Sequence, residues 1–213
     1  MSTNYKGMCE FISRRISVRA FFTSAMFLFL AVWPASGQEF PFGDHVPEDE
    51  NYALVLEVLG GYSSLDFGMV FFGQGHTEIE LNSDDVVIFA IEGVRSLDVF
   101  VDLLPPTHLW LDGISTSDDE KRIPFTLNGA YANQGEGNTG PGYRVPFSGT
   151  AARFPILRRE TGPPGPPPVP PHSGYVPPRA TAYLFLYGNI NVGSELQAGW
   201  YLGEITVTIS YDI

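Results

Sequence analysis

The end of the chain carries the clearest strand pattern in the sequence. From Gly203 onward apolar and polar residues alternate strictly, and β-branched residues are frequent on both sides of the alternation. Successive side chains of a strand point to opposite faces, so we expect one face of this strand to be buried and the other to be solvated. The predicted buried face consists of Ile205, Val207, Ile209 and Tyr211.

Shorter segments with strand character recur along the chain before this point. They are separated by turns rich in glycine, proline, asparagine and aspartate, and no amphipathic helical stretch of useful length follows residue 37. Short strands that alternate with turn signals are typical of β-sandwiches and β-barrels. The predicted fold class is therefore all-β. Strands are predicted at 52–59, 69–72, 77–81, 86–91, 96–104, 107–111, 123–131, 153–158 and 182–189.

Residues 1–37 have the three-part layout of a secretory signal peptide. A basic region precedes the apolar run Ala20–Trp33, and Ala35 and Gly37 stand at the positions that a signal peptidase recognises. The apolar run is shorter than the roughly 20 residues that span a bilayer, which favours a cleaved signal over a membrane anchor. We therefore predict a mature chain that begins at Gln38, has no stable membrane span, and is exported to the periplasm, the cell surface or the medium.

Cysteine content and charge restrict the chemistry and the partners of this mature chain. The only cysteine, Cys9, lies inside the predicted signal, which excludes disulfides, thiolate metal sites and a cysteine nucleophile from the exported form. Signal removal takes away four cations and one anion, a net +3, so the formal charge changes from −12 to −15. Such an acidic surface repels nucleic acid and anionic lipid, and neither is an expected partner.

The mature chain divides into three regions by composition. Residues 38–51 form an acidic, extended leader with two prolines, and residues 52–213 form the β-domain. Residues 162–178 interrupt that domain, and nine of these seventeen residues are proline. Such a segment adopts an extended polyproline conformation, so we predict a stiff loop inserted between two strands. Recognition by a domain that binds proline-rich peptides is the alternative interpretation.

No pattern of polar residues indicates catalysis, a cofactor or a metal. The four histidines do not have the spacing of metal ligands, and no nucleophile-elbow motif is present. The acidic clusters Asp84–Asp85 and Asp118–Glu120 lack the alternating carboxylates of a calcium loop, so we interpret both as solvated turns. We therefore predict a protein that is not an enzyme. The histidines are His45, His76, His108 and His172.

Two short motifs stand at opposite ends of the predicted β-domain. Leu65-Asp66-Phe67-Gly68 lies near its start, and a Gly199-x-Tyr201-x-Gly203 run precedes the last strand, after a turn at Val192-Gly193. Together they resemble a family of exported bacterial proteins known as domain of unknown function 4402, which is similar to spore coat protein U-like and fimbrial subunit domains. This resemblance implies an immunoglobulin-like antiparallel β-sandwich that is secreted and in some members assembled at the cell surface.

Two hypotheses about function follow. The first is a structural or adhesive surface subunit that associates with itself or with other envelope proteins by strand addition, with the last strand as the candidate assembly element. The leader fits a donor strand only in part, because it contains two prolines and a run of acids. The second hypothesis is a self-contained binding module for a glycan or another small ligand. Its candidate contact residues are Trp110, Tyr143, Tyr175 and Trp200.

Overall fold

A computed structural model describes residues 5–11, 52–60, 63–159 and 176–211, the first of these segments by its backbone alone. The leader 38–51 lies outside the described residues. So do most of the predicted signal, including its apolar run, and residues 162–175 of the Pro-rich loop, among them Tyr175.

The described residues form twelve β-strands and two short 3₁₀ turns, Asp119–Lys121 and Pro141–Tyr143. This confirms the predicted all-β class, whereas the immunoglobulin-like sandwich is a finer description that stays a prediction. The strands are β1 Tyr5–Phe11, β2 Val55–Leu59, β3 Asp66–Val70, β4 Gly75–Ile79, β5 Val87–Val94, β6 Asp98–Leu104, β7 His108–Leu111, β8 Arg122–Ala132, β9 Val145–Phe147, β10 Ala151–Pro155, β11 Arg179–Val192 and β12 Trp200–Tyr211.

Hydrogen bonding connects these strands into one multistranded sheet, and every pair is antiparallel except β1 with β12. The long strand β11 organises one part of it, with β5 and β4 along one edge and β8 along the other. The last strand, β12, organises the other part, with β6 and β7 along one edge and β1 along the other. Strand β8 belongs to both parts, because its first residues pair with β7 and its later residues with β11.

The inward-facing side chains of both parts pack into a single hydrophobic core. Aromatic rings join strands from different places in the chain: Phe67 of β3 meets Phe125 of β8 edge to face at 6.1 Å, and Tyr131 stacks on Phe154 at 4.3 Å. Such contacts add to the burial of apolar area, which is the main force that holds such a domain together.

One burial pattern differs from what the sequence indicated. The apolar run at 86–91 is typical of a strand buried on both faces, yet β5 alternates between buried Phe89 and Ile91 and half-buried Ile88 and Ala90. Strand β2 lies within the strand predicted at 52–59; among the described residues it pairs with β5 alone, and none of its residues is fully buried. None of the described segments contains a helix long and apolar enough to cross a membrane.

Candidate functional site

The most informative feature of the sheet is the position that β1 occupies between β3 and β12. Strand β1 runs parallel to β12, from Lys6 beside Trp200 to Phe11 beside Ile205. It runs antiparallel to β3, from Tyr5 beside Val70 to Met8 beside Asp66, with a shift in register after Gly7. Strand β3 pairs with no other strand of the described residues, so β1 provides its hydrogen-bonded link to the rest of the sheet. Sequence reasoning missed this element, because residues 5–11 were assigned to the basic region of a signal.

Strand β3 is held at this position by its side chains. Leu65 and Phe67 point into the core with 0% and 7% of their surface exposed, and Val70 is also buried. Gly68 has a φ of +68°, which glycine adopts without strain, and its N–H donates to the Asp66 carboxylate at 2.8 Å. Gly68 lies opposite Gly7, next to the shift in register, and a glycine with positive φ is common at such irregularities. The first motif of the sequence is thus explained by local geometry.

The second motif packs β12 against β7. Tyr201 is 1% exposed, and its hydroxyl lies 2.7 Å from the carbonyl of Gln197 and 3.0 Å from that of Glu120. A Cβ atom at Gly203 would lie 2.8 Å from Leu109 of β7 and 2.9 Å from Pro106, which precedes β7. Only a residue without a side chain permits this close approach, so the motif shapes the edge of β12 that faces β7.

The predicted buried face of β12 is used within the chain's own core. Ile205 and Ile209 are buried, whereas Val207 and Tyr211 are half-buried. The Tyr211 hydroxyl accepts a hydrogen bond from the Val94 N–H at 2.8 Å, and burial raises its pKa above the ordinary tyrosine value. What β12 offers to another strand is therefore its backbone edge along Trp200–Ile205, the edge that β1 covers.

The candidate ligand-contact aromatics divide between two regions. Trp110 lies opposite Leu202 in the β7–β12 ladder, and its neighbour Leu109 is buried, so Trp110 faces outward. Trp200 also faces outward, two residues from Leu202, and is 49% exposed. The two tryptophans therefore share one face on adjacent strands, at the diagonal spacing that allows large side chains to meet.

Tyr143 lies elsewhere. It belongs to the 3₁₀ turn Pro141–Tyr143, and the adjacent Arg144 guanidinium lies 4.6 Å from the ring centre of Phe185 in β11. The structure therefore brings Trp110 and Trp200 together and leaves Tyr143 apart from them.

Sequence analysis also missed one apolar residue of the outer face. Met69 of β3 is 53% exposed and, like Trp200, lies level with Lys6 of β1. Two strand spacings, roughly 10 Å, separate Met69 from Trp200. The sequence does contain a signal for this exposed residue. Residues 69–72 are all apolar, whereas a half-buried strand alternates apolar and polar residues, so part of this run must face outward.

Both acidic clusters, Asp84–Asp85 and Asp118–Glu120, lie in turns, and most of their residues are exposed. Asp118 caps the 3₁₀ turn by accepting from the Glu120 N–H, and its hydrogen bond with Lys121 lowers the pKa of this carboxyl group. Asp85 accepts a hydrogen bond from the Ser83 hydroxyl at 3.0 Å. Within the described part of the chain, no group of three or more histidine, cysteine, aspartate or glutamate residues could hold a metal ion.

Comparison with known proteins leaves the resemblance noted above as a prediction. The chain matches no model of a known protein family, and no curated protein sequence is similar enough to it to count as a relative.

Proposed function

We propose that this chain is an exported structural or adhesive protein of the bacterial cell surface, an immunoglobulin-like β-sandwich that accepts an added strand between β3 and β12. One observation carries the proposal. The residues that occupy this position, Tyr5–Phe11, belong to the segment that the sequence marks for removal on export.

Removal of residues 1–37 has a direct structural consequence. The edge of β12 along Trp200–Ile205 loses its hydrogen-bonding partner, and β3 loses the one strand with which it pairs among the described residues. Unpaired backbone groups are costly when they are buried, and an open strand edge is a template for pairing with another segment. The exported domain therefore requires a replacement strand, which is the basis of recognition by strand addition.

The side chains around the position between β3 and β12 favour binding by strand addition. They argue against binding through apolar side chains of β12. Ile205 and Ile209 are buried in the core, so they stabilise the domain and are not available to a partner. In strand addition, hydrogen bonds to the backbone edge provide the affinity. The outward-facing Met69 of β3 and Trp200 of β12 lie on either side of the position that the added strand would take.

The proposal is tested by expressing the whole gene in a bacterium that exports it. We expect the intact mass of the exported protein to begin at Gln38, and we expect the protein to be accessible to protease on whole cells. In hydrogen-exchange mass spectrometry, peptides that cover residues 200–205 should exchange slowly, because a new strand covers them. Retention of residues 1–37 in the cell, or fast exchange at 200–205 in the processed protein, would contradict the proposal.

A second candidate function is glycan binding by the face that carries Trp110 and Trp200. The observation that favours it is their common orientation on adjacent strands, since exposed tryptophan rings offer flat apolar surfaces for stacking. The third tryptophan of the chain, Trp33, lies in the predicted signal, so the fluorescence of the exported protein reports on these two residues alone. Titration with a panel of oligosaccharides should quench this fluorescence. The signal should be reduced in Trp200→Ala, and an unchanged spectrum across the panel would remove this candidate.

A further inference from the structure

The outer face of the sheet around the second half of β11 carries a group of polar side chains. Strand β11 lies here between β4 and β8. Its residues Gly188 and Ile190 are buried and face the core, so the residues that alternate with them face outward. These are Tyr187 and Asn189, which are half-buried, and Asn191, which is exposed.

The neighbouring strands add further polar residues to this face. Asn128 of β8 lies opposite Tyr187, and Thr126 lies opposite Asn189. On the other side of Asn189 lies Glu78 of β4. Opposite residues on paired strands share a face about 5 Å apart, and successive outward residues of one strand are about 7 Å apart. The five side chains therefore form one continuous surface, which we call the amide face.

The neutral groups of the amide face make no hydrogen bonds within the described part of the chain. This holds for the side chains of Thr126, Asn128, Tyr187 and Asn189, whereas the fifth, Glu78, is paired with His76 at 3.4 Å. Each amide offers a carbonyl acceptor and two N–H donors, and each hydroxyl both donates and accepts. This hydrogen-bonding capacity is therefore open to water or to a bound molecule.

Tyr187 provides the aromatic part of the amide face. Desolvation by burial, followed by the nearby Glu78 carboxylate, raises the pKa of its phenol above the ordinary value, so the hydroxyl is protonated at neutral pH and can donate. A tyrosine ring is a rigid amphipathic surface that loses little conformational entropy on binding, and asparagine adds adaptable hydrogen bonds. This combination matches a ligand that has hydroxyl groups at its edge and C–H groups on its face.

Charge and hydrophobicity narrow the class of ligand further. The amide face contains no lysine or arginine, and its one ionic group is the carboxylate of Glu78, so it does not attract an anion. None of the exposed large apolar residues of the described chain lies on it, whereas protein interfaces centre on aromatic and arginine anchors packed in apolar pockets. A neutral polyhydroxyl compound has the complementary chemistry.

We propose that the amide face binds a neutral carbohydrate. Hydroxyl groups of the sugar exchange hydrogen bonds with the amides of Asn128 and Asn189 and with the Thr126 hydroxyl, and one sugar ring lies against the ring of Tyr187. Burial of that ring contact and pairing of the four polar groups provide the affinity.

This site is separate from the positions discussed above. It lies on β4, β11 and β8, away from the position between β3 and β12, so it goes beyond the proposed function and does not require strand addition. It is also separate from the two tryptophans. Trp110 lies opposite Arg122, and Thr126 follows four residues later on β8, about 13 Å along the strand.

Affinity electrophoresis of the protein purified from expression of the whole gene tests the proposal. Native gels are cast with dextran, galactomannan or soluble starch as neutral polysaccharides, and with alginate or hyaluronate as acidic ones. We expect slower migration in at least one neutral gel and unchanged migration in the acidic gels, whether or not residues 1–37 have been removed. Unchanged migration in all neutral gels, or slower migration in the acidic gels alone, would overturn the proposal.

Substitutions locate the binding on the sheet. Asn189→Ala and Thr126→Val should each weaken binding by about three- to tenfold, the loss expected for one to two neutral hydrogen bonds. Thr126 is exposed and valine keeps its size, so this variant tests binding without disturbing the core. The matched control is Asn82→Ala, an exposed residue in the turn after β4. Binding as in the wild type by both variants would overturn the proposal, and a loss in Trp200→Ala alone would do so in favour of the tryptophans.

The side-chain amide signals of the two asparagines provide a direct readout. In ¹⁵N-labelled protein they are assigned from the signals missing in Asn128→Ala and Asn189→Ala. Titration with oligosaccharides of the polysaccharide that slows migration should shift both signals. Shifts confined to other residues would overturn the proposal, because the sugar would then bind elsewhere.

Discussion

At the scale of single residues, the glycines and the tyrosine that precede the last strand have separate physical roles. Gly199 and Gly203 allow Leu111, Leu109 and Pro106 to approach the backbone of β12, and Tyr201 connects β12 to the turns before it through its hydroxyl. A motif that is recognisable in the sequence is therefore also a set of packing requirements.

Replacement of Gly203 by alanine should destabilise the domain. The added methyl group would lie within 3 Å of Leu109 and Pro106, so the β6–β7 segment must shift, which typically costs about 1–3 kcal/mol of unfolding free energy. Urea denaturation followed by circular dichroism measures the change. Gly142→Ala is the control, because a Cβ there meets no atom within 4 Å. Equal midpoints for the two variants would contradict the packing role of Gly203.

Replacement of Tyr201 by phenylalanine should remove the hydroxyl and keep the buried ring. The carbonyl of Glu120 retains its bond from the Gln197 N–H, so the loss is that of about one net hydrogen bond, roughly 1 kcal/mol of unfolding free energy. The same denaturation experiment measures it, with Tyr143→Phe, which lies in an exposed turn, as the reference. A variant as stable as the wild type would show that the hydroxyl contributes nothing.

At the scale of elements, the end of β12 is connected to β5 by Tyr211. Its hydroxyl accepts from the Val94 N–H, and desolvation raises the pKa of the phenol in the folded protein. A group whose pKa is higher in the folded state contributes stability that is present below the unfolded-state pKa of about 10 and is lost as the pH rises through the folded-state value.

Thermal unfolding between pH 8 and pH 11 should reveal this contribution. The wild type is expected to lose stability above about pH 10, as the exposed phenol of the unfolded state ionises first. Tyr211→Phe should be less stable at pH 8, because it loses the hydrogen bond, and should fall less steeply above pH 10. Parallel curves for the two proteins would contradict a raised pKa.

At the scale of the whole molecule, the proposed function depends on one strand position, which β1 occupies between β3 and β12. In the described structure β1 closes the gap between β3 and β12, and the proposed processing removes β1.

The exported protein should therefore self-associate. Without residues 1–37 the edges of β3 and β12 are open and can pair with a second molecule. Sedimentation velocity over a range of concentrations should show oligomers. Monomers throughout would contradict an open edge in the processed protein.

Much of the secondary structure could be predicted from local patterns. Alternation identified β12, turn residues bounded β6 and β7, and the apolar run that contains Phe89 and Ile91 marked β5. These predictions succeeded because the period of a strand, the special backbone of glycine and the rigidity of proline are properties of short segments. The all-β class follows from them.

The partners of each strand were decided by the tertiary structure. Nothing in the local pattern of Tyr5–Phe11 indicates a position between β3 and β12, because parallel pairing joins residues nearly two hundred positions apart. The common face of Trp110 and Trp200 likewise depends on the pairing of β7 with β12. The sequence by itself determined which segments are extended and which of their faces are apolar. Only the tertiary structure decided which edges meet, because edge pairing uses the backbone, which is the same at every residue but proline.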